Sequence, residues 1–305
     1  MKRERISKKR TILKRIEDNR NRYTYIEKSG VKKSGLLLDV ELVITNDMIR
    51  KVDRNAIRRG GVKTAVLKAQ SKWMPILEEK KKVIIVTSAY KAQDFIEECL
   101  DSIENQTYFI DNDNYQILVG VDGCQETLDK LLEIRYKYRN LRIFMMDKNM
   151  GTYVTTNTLI SMIRTTHIFR FDSDDIMMPE VINEVMHYVE DYNVVRYKYI
   201  KLAGDIKIPA NLHAHGAIYL NRSVFTKLGG YQPWMCGADT ELLKRGALLI
   251  SQKLINYHLF YRRTHENSLT RSPEYGMKSE KRKSYHALIG KHVKVKIKRV
   301  VNTFK

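Results

Sequence analysis

The sequence predicts an α/β protein built on a mainly parallel sheet flanked by helices, with basic extensions at both ends. Three observations carry that expectation. Apolar runs of strand length alternate with helix-length amphipathic segments between residues 82 and 270, two of those runs end in carboxylates, and the excess positive charge lies at the chain ends. Alternating strands and helices are the pattern of parallel sheets with crossover helices. The 305 residues, 43% of them hydrophobic, suffice for one large core with extensions.

Val83 to Val86 is a continuous apolar run, as a strand buried on both faces requires. Asp94-x-x-Glu97 reads as a capping box, and Ile96, Leu100 and Ile103 share one face of the helix after it. Ile117 to Val121 reads as a second strand ending at Asp122, Leu141 to Met146 as a third, and His167 to Phe171 as a fourth ending at Asp172. A helix is expected over Thr152 to Arg164. Pro179 suits the first turn of another that would run to about Tyr192. Val194 to Tyr199, Ala217 to Leu220 and Ile255 to Tyr261 read as strands, with a helix over Asp239 to Ile250. In such sheets ligands bind beyond the carboxyl ends of strands, where Asp122 and Asp172 fall.

The net charge of +20 is unevenly spread. Residues 1–82 carry 24 Lys and Arg against 10 acids, residues 262–305 carry 13 against 3, and the middle is slightly acidic. That division suggests a catalytic or binding core with attachments for a polyanion, against the plainer reading of a solvated charged surface. Residues 2–28 read as a basic helix with Ile6, Ile12, Leu13 and Ile16 on a loose stripe. The expected organisation is a basic, largely helical extension over 1–81, a core over 82–270 and a second basic extension over 271–305. No run of 18 or more apolar residues is present, which excludes a transmembrane helix. The charged opening Met1-Lys2-Arg3-Glu4-Arg5 leads to no expected signal peptide. Cys99, Cys124 and Cys236 are far apart and in no ligand spacing. They point to reduced thiols in a cytoplasm (a host's, for a viral chain) rather than to disulfides or zinc.

Phe171-Asp172-Ser173-Asp174-Asp175 places three carboxylates within four residues after a strand. They repel one another unless a cation sits among them, and oxygen ligands suit Mg²⁺ or Mn²⁺ bridging a diphosphate. The alternative is a solvated acidic turn, with Asp175 near the N-cap of the next helix.

At this point the chain resembles the GT-A glycosyltransferases, specifically glycosyltransferase family 2, over roughly residues 82–270. The resemblance rests on segments in the family's order: Val83-Ile84-Ile85-Val86-Thr87-Ser88-Ala89-Tyr90, Glu97 to Ile103, Val119-Gly120-Val121-Asp122-Gly123, Asn149 to Val154, Phe171 to Asp175, Leu228-Gly229-Gly230-Tyr231, Gly237 to Leu242, and Tyr261 to Thr270. It implies a Rossmann-like core that binds a nucleotide-sugar, with Ala89 and Tyr90 beside the base and Asp122 on its imide edge. It makes Asp174 the main ligand of a Mn²⁺ or Mg²⁺ ion, with Asp172 near the ribose or the ion and His265 completing the site. Arg262 and Arg263 would offset diphosphate charge. Asp239 would be the general base, implying one displacement with inversion, and Trp234, Cys236 and Glu241 would lie on the acceptor side. His213 and His215 are read as ordinary strand residues. The family usually has Pro at Ser88, Asn at Lys91 and Glu or Gln at Ala238, departures that bear on donor identity and acceptor orientation.

The donor is expected to be UDP-linked. For the acceptor, the basic ends favour DNA, with a hydroxymethylated base as in phage-type DNA modification. The alternatives are a surface polysaccharide or glycolipid reached from an anionic membrane, with peripheral contact, and a non-catalytic nucleic-acid-binding protein. Residues 2–28 hold no Trp or Phe and only Leu13 as leucine, which disfavours a membrane-surface helix.

Overall fold

The computed structural model describes residues 83–110 and 112–289, together with the backbone of residues 23–26, 32–35 and 42–44. The segments 23–26 and 32–35 form a two-stranded antiparallel ladder, β1 (Tyr23–Ile26) and β2 (Lys32–Gly35). The basic helix expected over 2–28 therefore gives way to a strand at its end, where Tyr-Thr-Tyr-Ile alternates aromatic and branched residues that favour extended backbone. The rest of that helix lies outside the described residues.

A nine-stranded sheet runs in the order β3-β6-β5-β4-β7-β10-β9-β11-β8. Its parallel half comprises β3 (Leu42–Ile44), β6 (Leu141–Met146), β5 (Tyr115–Val121), β4 (Val83–Ala89) and β7 (His167–Asp172). Through β3, part of the stretch before residue 82 joins the core sheet. Beyond β7 the sheet becomes mixed. β10 (Ile206–Asn221) is antiparallel to β7 and to β9 (Val194–Ala203), β11 (Gln252–Arg263) is parallel to β9, and β8 (Ile176–Met177) closes the edge.

Period-two alternation divides the core. Val83 and Ile85 point to one face, where α1 (Ile96–Glu104), α2 (Gln125–Ile134) and α4 (Val181–Met186) pack. Ile84 and Val86 point to the other, against α3 (Thr152–Met162), α5 (Arg222–Leu228) and α6 (Ala238–Arg245). This three-layer arrangement explains why the central strands read as unbroken apolar runs.

Several boundaries differ from expectation. The capping box at Asp94 is absent: α1 has Phe95 at its N-cap and no side-chain cap. α4 ends at Met186, where the His187 ring engages the Asn183 carbonyl. α6 ends at Arg245, with Gly246 as its C-cap, rather than at Ile250. β10 is far longer than Ala217 to Leu220: it begins at Ile206, and Ile206, Ile208, Ala210 and Leu212 alternate along an arm that is mostly exposed. The thiols of Cys99, Cys124 and Cys236 are free and buried. No helix among the described residues is long and apolar enough to cross a membrane.

One buried ion pair fixes α6. Arg245 Nε donates to Glu241 Oε1 at 2.7 Å, and its other nitrogens donate to the carbonyls of Leu228 and Gly230. Both side chains are essentially solvent-free. Removing one member of such a pair strands the other charge, at about 3–5 kcal/mol. Arg245→Met should lose stability of that order in chemical denaturation, and a loss under about 1 kcal/mol would show the pair to be dispensable.

Candidate active site

The parallel strands β4, β5 and β7 end on one rim, at Ala89, Val121 and Asp172. Ala89 is fully buried and its carbonyl accepts the Asp122 N–H at 2.8 Å. Tyr90, next along, is 46% exposed and free to meet a flat ligand. Lys91 has φ of 51°, the left-handed region that Asn tolerates better than Lys, so the residue type usual in the family at this position has a backbone reason.

Asp122 is held by the protein's own backbone. It is 1% exposed, and its carboxylate accepts from Met150 N at 2.7 Å, Gly151 N at 2.8 Å and Thr155 Oγ1 at 3.0 Å. Burial pushes its pKa up despite these bonds. The group clamps the 149–151 loop to the end of β5. Gly123 completes the turn at φ of 70°, where a Cβ would lie 2.2 Å from the Lys148–Asn149 backbone.

The acidic turn is not the solvated turn weighed from sequence. Asp175 is 3% exposed and accepts the Arg263 N–H at 2.9 Å. Burial, then the charges of Asp174 and Asp172, push it well above the ordinary carboxylate range. Asp174 stays partly exposed and meets His265 Nε2 at 3.0 Å. The His265 ring rests on Phe95, with centroids 4.3 Å apart. Cys99 lies beneath, its Sγ 3.6 Å from the Asp172 carbonyl; burial, then the charges of Asp175, Asp174 and Asp172, push its pKa up.

Asp172 pairs with Arg170 at 2.7 Å. Arg170 is 4% exposed, flanked by the rings of Tyr153 and Tyr231 at 5.7 and 5.8 Å. Sequence reading passed over it, although a charge inside a buried strand, two residues before Asp172 and therefore on the same face, was a usable signal.

Of the two arginines expected at the diphosphate, Arg262 lies over the Tyr199 ring at 5.4 Å and feels the charges of Asp175 and Asp172. Arg263 does not match its expected role. Its side chain is tied to Glu98 and to the Asp174 carbonyl, over the Phe95 ring, and so braces the turn from behind.

On the other wall, Asp239 lies in the first turn of α6, and its Oδ1 accepts the Thr240 N–H at 2.6 Å. It is half-buried, and its charge reaches Asp172, Arg170 and His215. His215 contacts Thr240 Oγ1 through Nδ1 at 2.8 Å, a neighbour of Asp239 that sequence reading left as an ordinary strand residue. Glu241 and Trp234 correct the acceptor-side expectation. Glu241 is the fully buried partner of Arg245, and Trp234 stacks on Tyr285 with 9% of its surface exposed. Cys236 is also fully buried. These three pack the wall and do not line it.

A divalent ion fits the acidic turn. No group of three or more His, Cys, Asp or Glu converges among the described residues. Adjacent ligands of an octahedral ion with bonds of about 2.1 Å stand roughly 3 Å apart, which is the separation of Asp174 Oδ2 and His265 Nε2.

Residues 84–246 match the family described as glycosyl transferase family 2. The chain belongs to this family. An uncharacterized glycosyltransferase of Haemophilus influenzae is 32% identical over 109 residues, 35% of this chain and 32% of that protein. Poly(ribitol-phosphate) beta-glucosyltransferase of Bacillus spizizenii is 32% identical over 103 residues, 33% of this chain and 16% of that protein. The matched segments thus span about a third or less of these relatives. Among solved structures, TarS 1-349 of S. aureus in complex with UDP-GlcNAc has a TM-score of 0.53 at 15% identity, over 61% of this chain and 60% of that one. The mannosyltransferase PcManGT from Pyrobaculum calidifontis, in complex with GDP-Man and Mn2+, also gives 0.53, at 12% identity over 75% and 72%. At such identities these show the fold, the GT-A architecture that the resemblance implied.

Asp122→Asn would set an amide N–H₂ against a backbone N–H of Met150 or Gly151, at about 1–3 kcal/mol. The expected result is a lower denaturation midpoint at every donor concentration. Unchanged stability with weakened nucleotide binding would instead return Asp122 to the base.

Proposed function

We propose that the chain is an inverting, metal-dependent glycosyltransferase that moves a sugar from a UDP-linked donor to a hydroxyl of a phosphate-bearing polymer. The observation that supports this reading is that Asp172 lies within electrostatic reach both of Asp174, which contacts His265, and of Asp239 in the first turn of α6. Asp174 and His265 would hold a Mn²⁺ or Mg²⁺ ion, which when bound offsets charge developing on the leaving diphosphate. Tyr90 and Arg262 would bind the nucleotide end. Asp239 would take the proton of the acceptor hydroxyl as its oxygen attacks the anomeric carbon, while the bond from that carbon to the phosphate oxygen breaks. One base and one attack invert the anomeric centre. The complexes of structural neighbours with UDP-GlcNAc and GDP-Man support a nucleotide-sugar donor.

For the acceptor, the charge of the chain ends supports a polyanion within the organisation expected from sequence, a core over 82–270 between basic extensions over 1–81 and 271–305. A relative named for poly(ribitol-phosphate) supports a polyol phosphate over a hydroxymethylated base in DNA, because it is a glycosyl acceptor carrying the same backbone charge. DNA, favoured by charge alone, is the second arm of the test.

The full chain, Mn²⁺ and labelled UDP-sugars are incubated with poly(ribitol phosphate), hydroxymethylated DNA and a neutral glycan. Transfer to the polyol phosphate, weakening as salt rises, is expected. Salt-independent transfer to the neutral glycan alone would overturn the polyanion reading, and transfer to DNA alone would restore the DNA acceptor. Asp239→Asn should retain donor affinity and lose about 10²–10⁴ in rate. Loss of donor affinity in step with rate would make Asp239 a donor-site residue.

A further inference from the structure

The strands β9, β10 and β11 hold seven Lys and Arg and no Asp or Glu, although residues 83–261 are slightly acidic overall. β7 pairs with β10 only over Ile218–Asn221, so residues 206–217 run on past the rim with β9 as their partner. Between the pairs His213–Lys198 and Ile218–Arg196, four β10 residues oppose Tyr197 alone. The Arg196 guanidinium fills this bulge, donating to the carbonyls of Ala214 at 2.7 Å and His213 at 2.9 Å. Bulges re-aim side chains, and this one brings His215 onto Thr240, beside Asp239. The charge of Asp239 reaches both Arg196 and His215, and that of Lys244 in α6 reaches His215. Lys198 lies two residues beyond Arg196 and so shares its face. Lys207 is on that face too, its Nζ 4.8 Å from the ring of Tyr261, which pairs with Ile200.

With His215 between them, Lys244 and Arg196 begin a cationic row that Lys198 and Lys207 carry outward along the arm, away from Asp239. From Arg196 to the level of Lys207, opposite Leu202, the row spans about 20 Å at about 3.3 Å per residue. No described carboxylate pairs with Lys198, Lys207 or Lys244, whereas Lys130, Lys137, Lys281 and Lys283 each meet one. Unneutralised like charges on one face repel one another, and a bound anion relieves that repulsion. We infer that this face of the arm is the docking track of the acceptor polymer, its lysines meeting successive phosphates while one accepting hydroxyl lies at Asp239. This rests on the polyol-phosphate reading above and adds to it the surface that holds the chain. The track is linear, as a polymer is. An anionic bilayer would instead meet the projecting tip, where Asp205 stands beside the exposed Ile206 and presents the wrong charge.

The test is binding of the full chain to poly(ribitol phosphate) over a range of salt concentrations, without donor or metal, paired with transfer kinetics. Lys198→Gln combined with Lys207→Gln should weaken polymer binding about tenfold or more and flatten the slope of log affinity on log salt by about one to two. Polymer KM should rise to match, with kcat and donor hydrolysis in water at their wild-type values. Lys198→Arg combined with Lys207→Arg should bind as wild type because both charges are kept. Lys130→Gln, on α2 across the sheet, should change nothing. Unchanged affinity and salt slope in the double Gln variant would overturn the track and leave the polyol-phosphate acceptor standing. So would an equal loss in the double Arg variant, which would make the lysines packing residues. Lost sedimentation with phosphatidylglycerol vesicles at unchanged polymer affinity would reassign the arm to a lipid surface. Wild-type protein that transfers to a neutral glycan and binds no poly(ribitol phosphate) would overturn the acceptor reading, and this inference with it.

Discussion

Strands that run parallel must all end on the same rim, and most of the candidate site follows from that constraint. β4, β5 and β7 deliver Ala89, Asp122 and Asp172 to one edge although they lie far apart in sequence. The turn after β7 then places Asp174 and Asp175 just outside the sheet. The mixed half of the sheet completes the enclosure. β11 runs beside β9 and ends at Arg263, so the chain arrives behind the acidic turn and His265 comes to rest against Asp174. An antiparallel return of β11 along β9 would carry His265 to the opposite rim.

The buried charges tell a related story about order. Asp122, Arg170, Asp175, Glu241 and Arg245 are all nearly solvent-free, and each is compensated by a named partner. Their bonds tie loops to elements: the 149–151 loop to β5, the acidic turn to β11, the 228–230 loop to α6. Such bonds are costly to leave half-made. The rim is therefore built from polar contacts that must all form together, above an apolar core that would tolerate more variation.

Much of the architecture was legible because central parallel strands are apolar on both faces and their helices are amphipathic. The arm of β10 before Ala217 was not read, although Ile206, Ile208, Ala210, Leu212 and Ala214 alternate with polar residues; Pro209 and Gly216 interrupt that signal. At the site, residue type and position were legible but orientation was not. A carboxylate at a strand end reads alike whether it stays partly exposed, as Asp174 does, or turns inward to backbone amides, as Asp122 does. Glu241 and Arg263 failed for the same reason, since their partners Arg245, Glu98 and the Asp174 carbonyl are set by packing rather than by motif. Arg170 was missed because it sat within a strand reading otherwise dominated by apolar neighbours.

The stack of Trp234 on Tyr285, with Ile289 buried in the same core as Ala238, pins residues 280–289 beside the loop that leads into Asp239. A chain cut before Tyr285 would therefore uncover the Trp234 ring and loosen the loop that presents Asp239, so the far end of the described sequence is coupled to that carboxylate by packing alone.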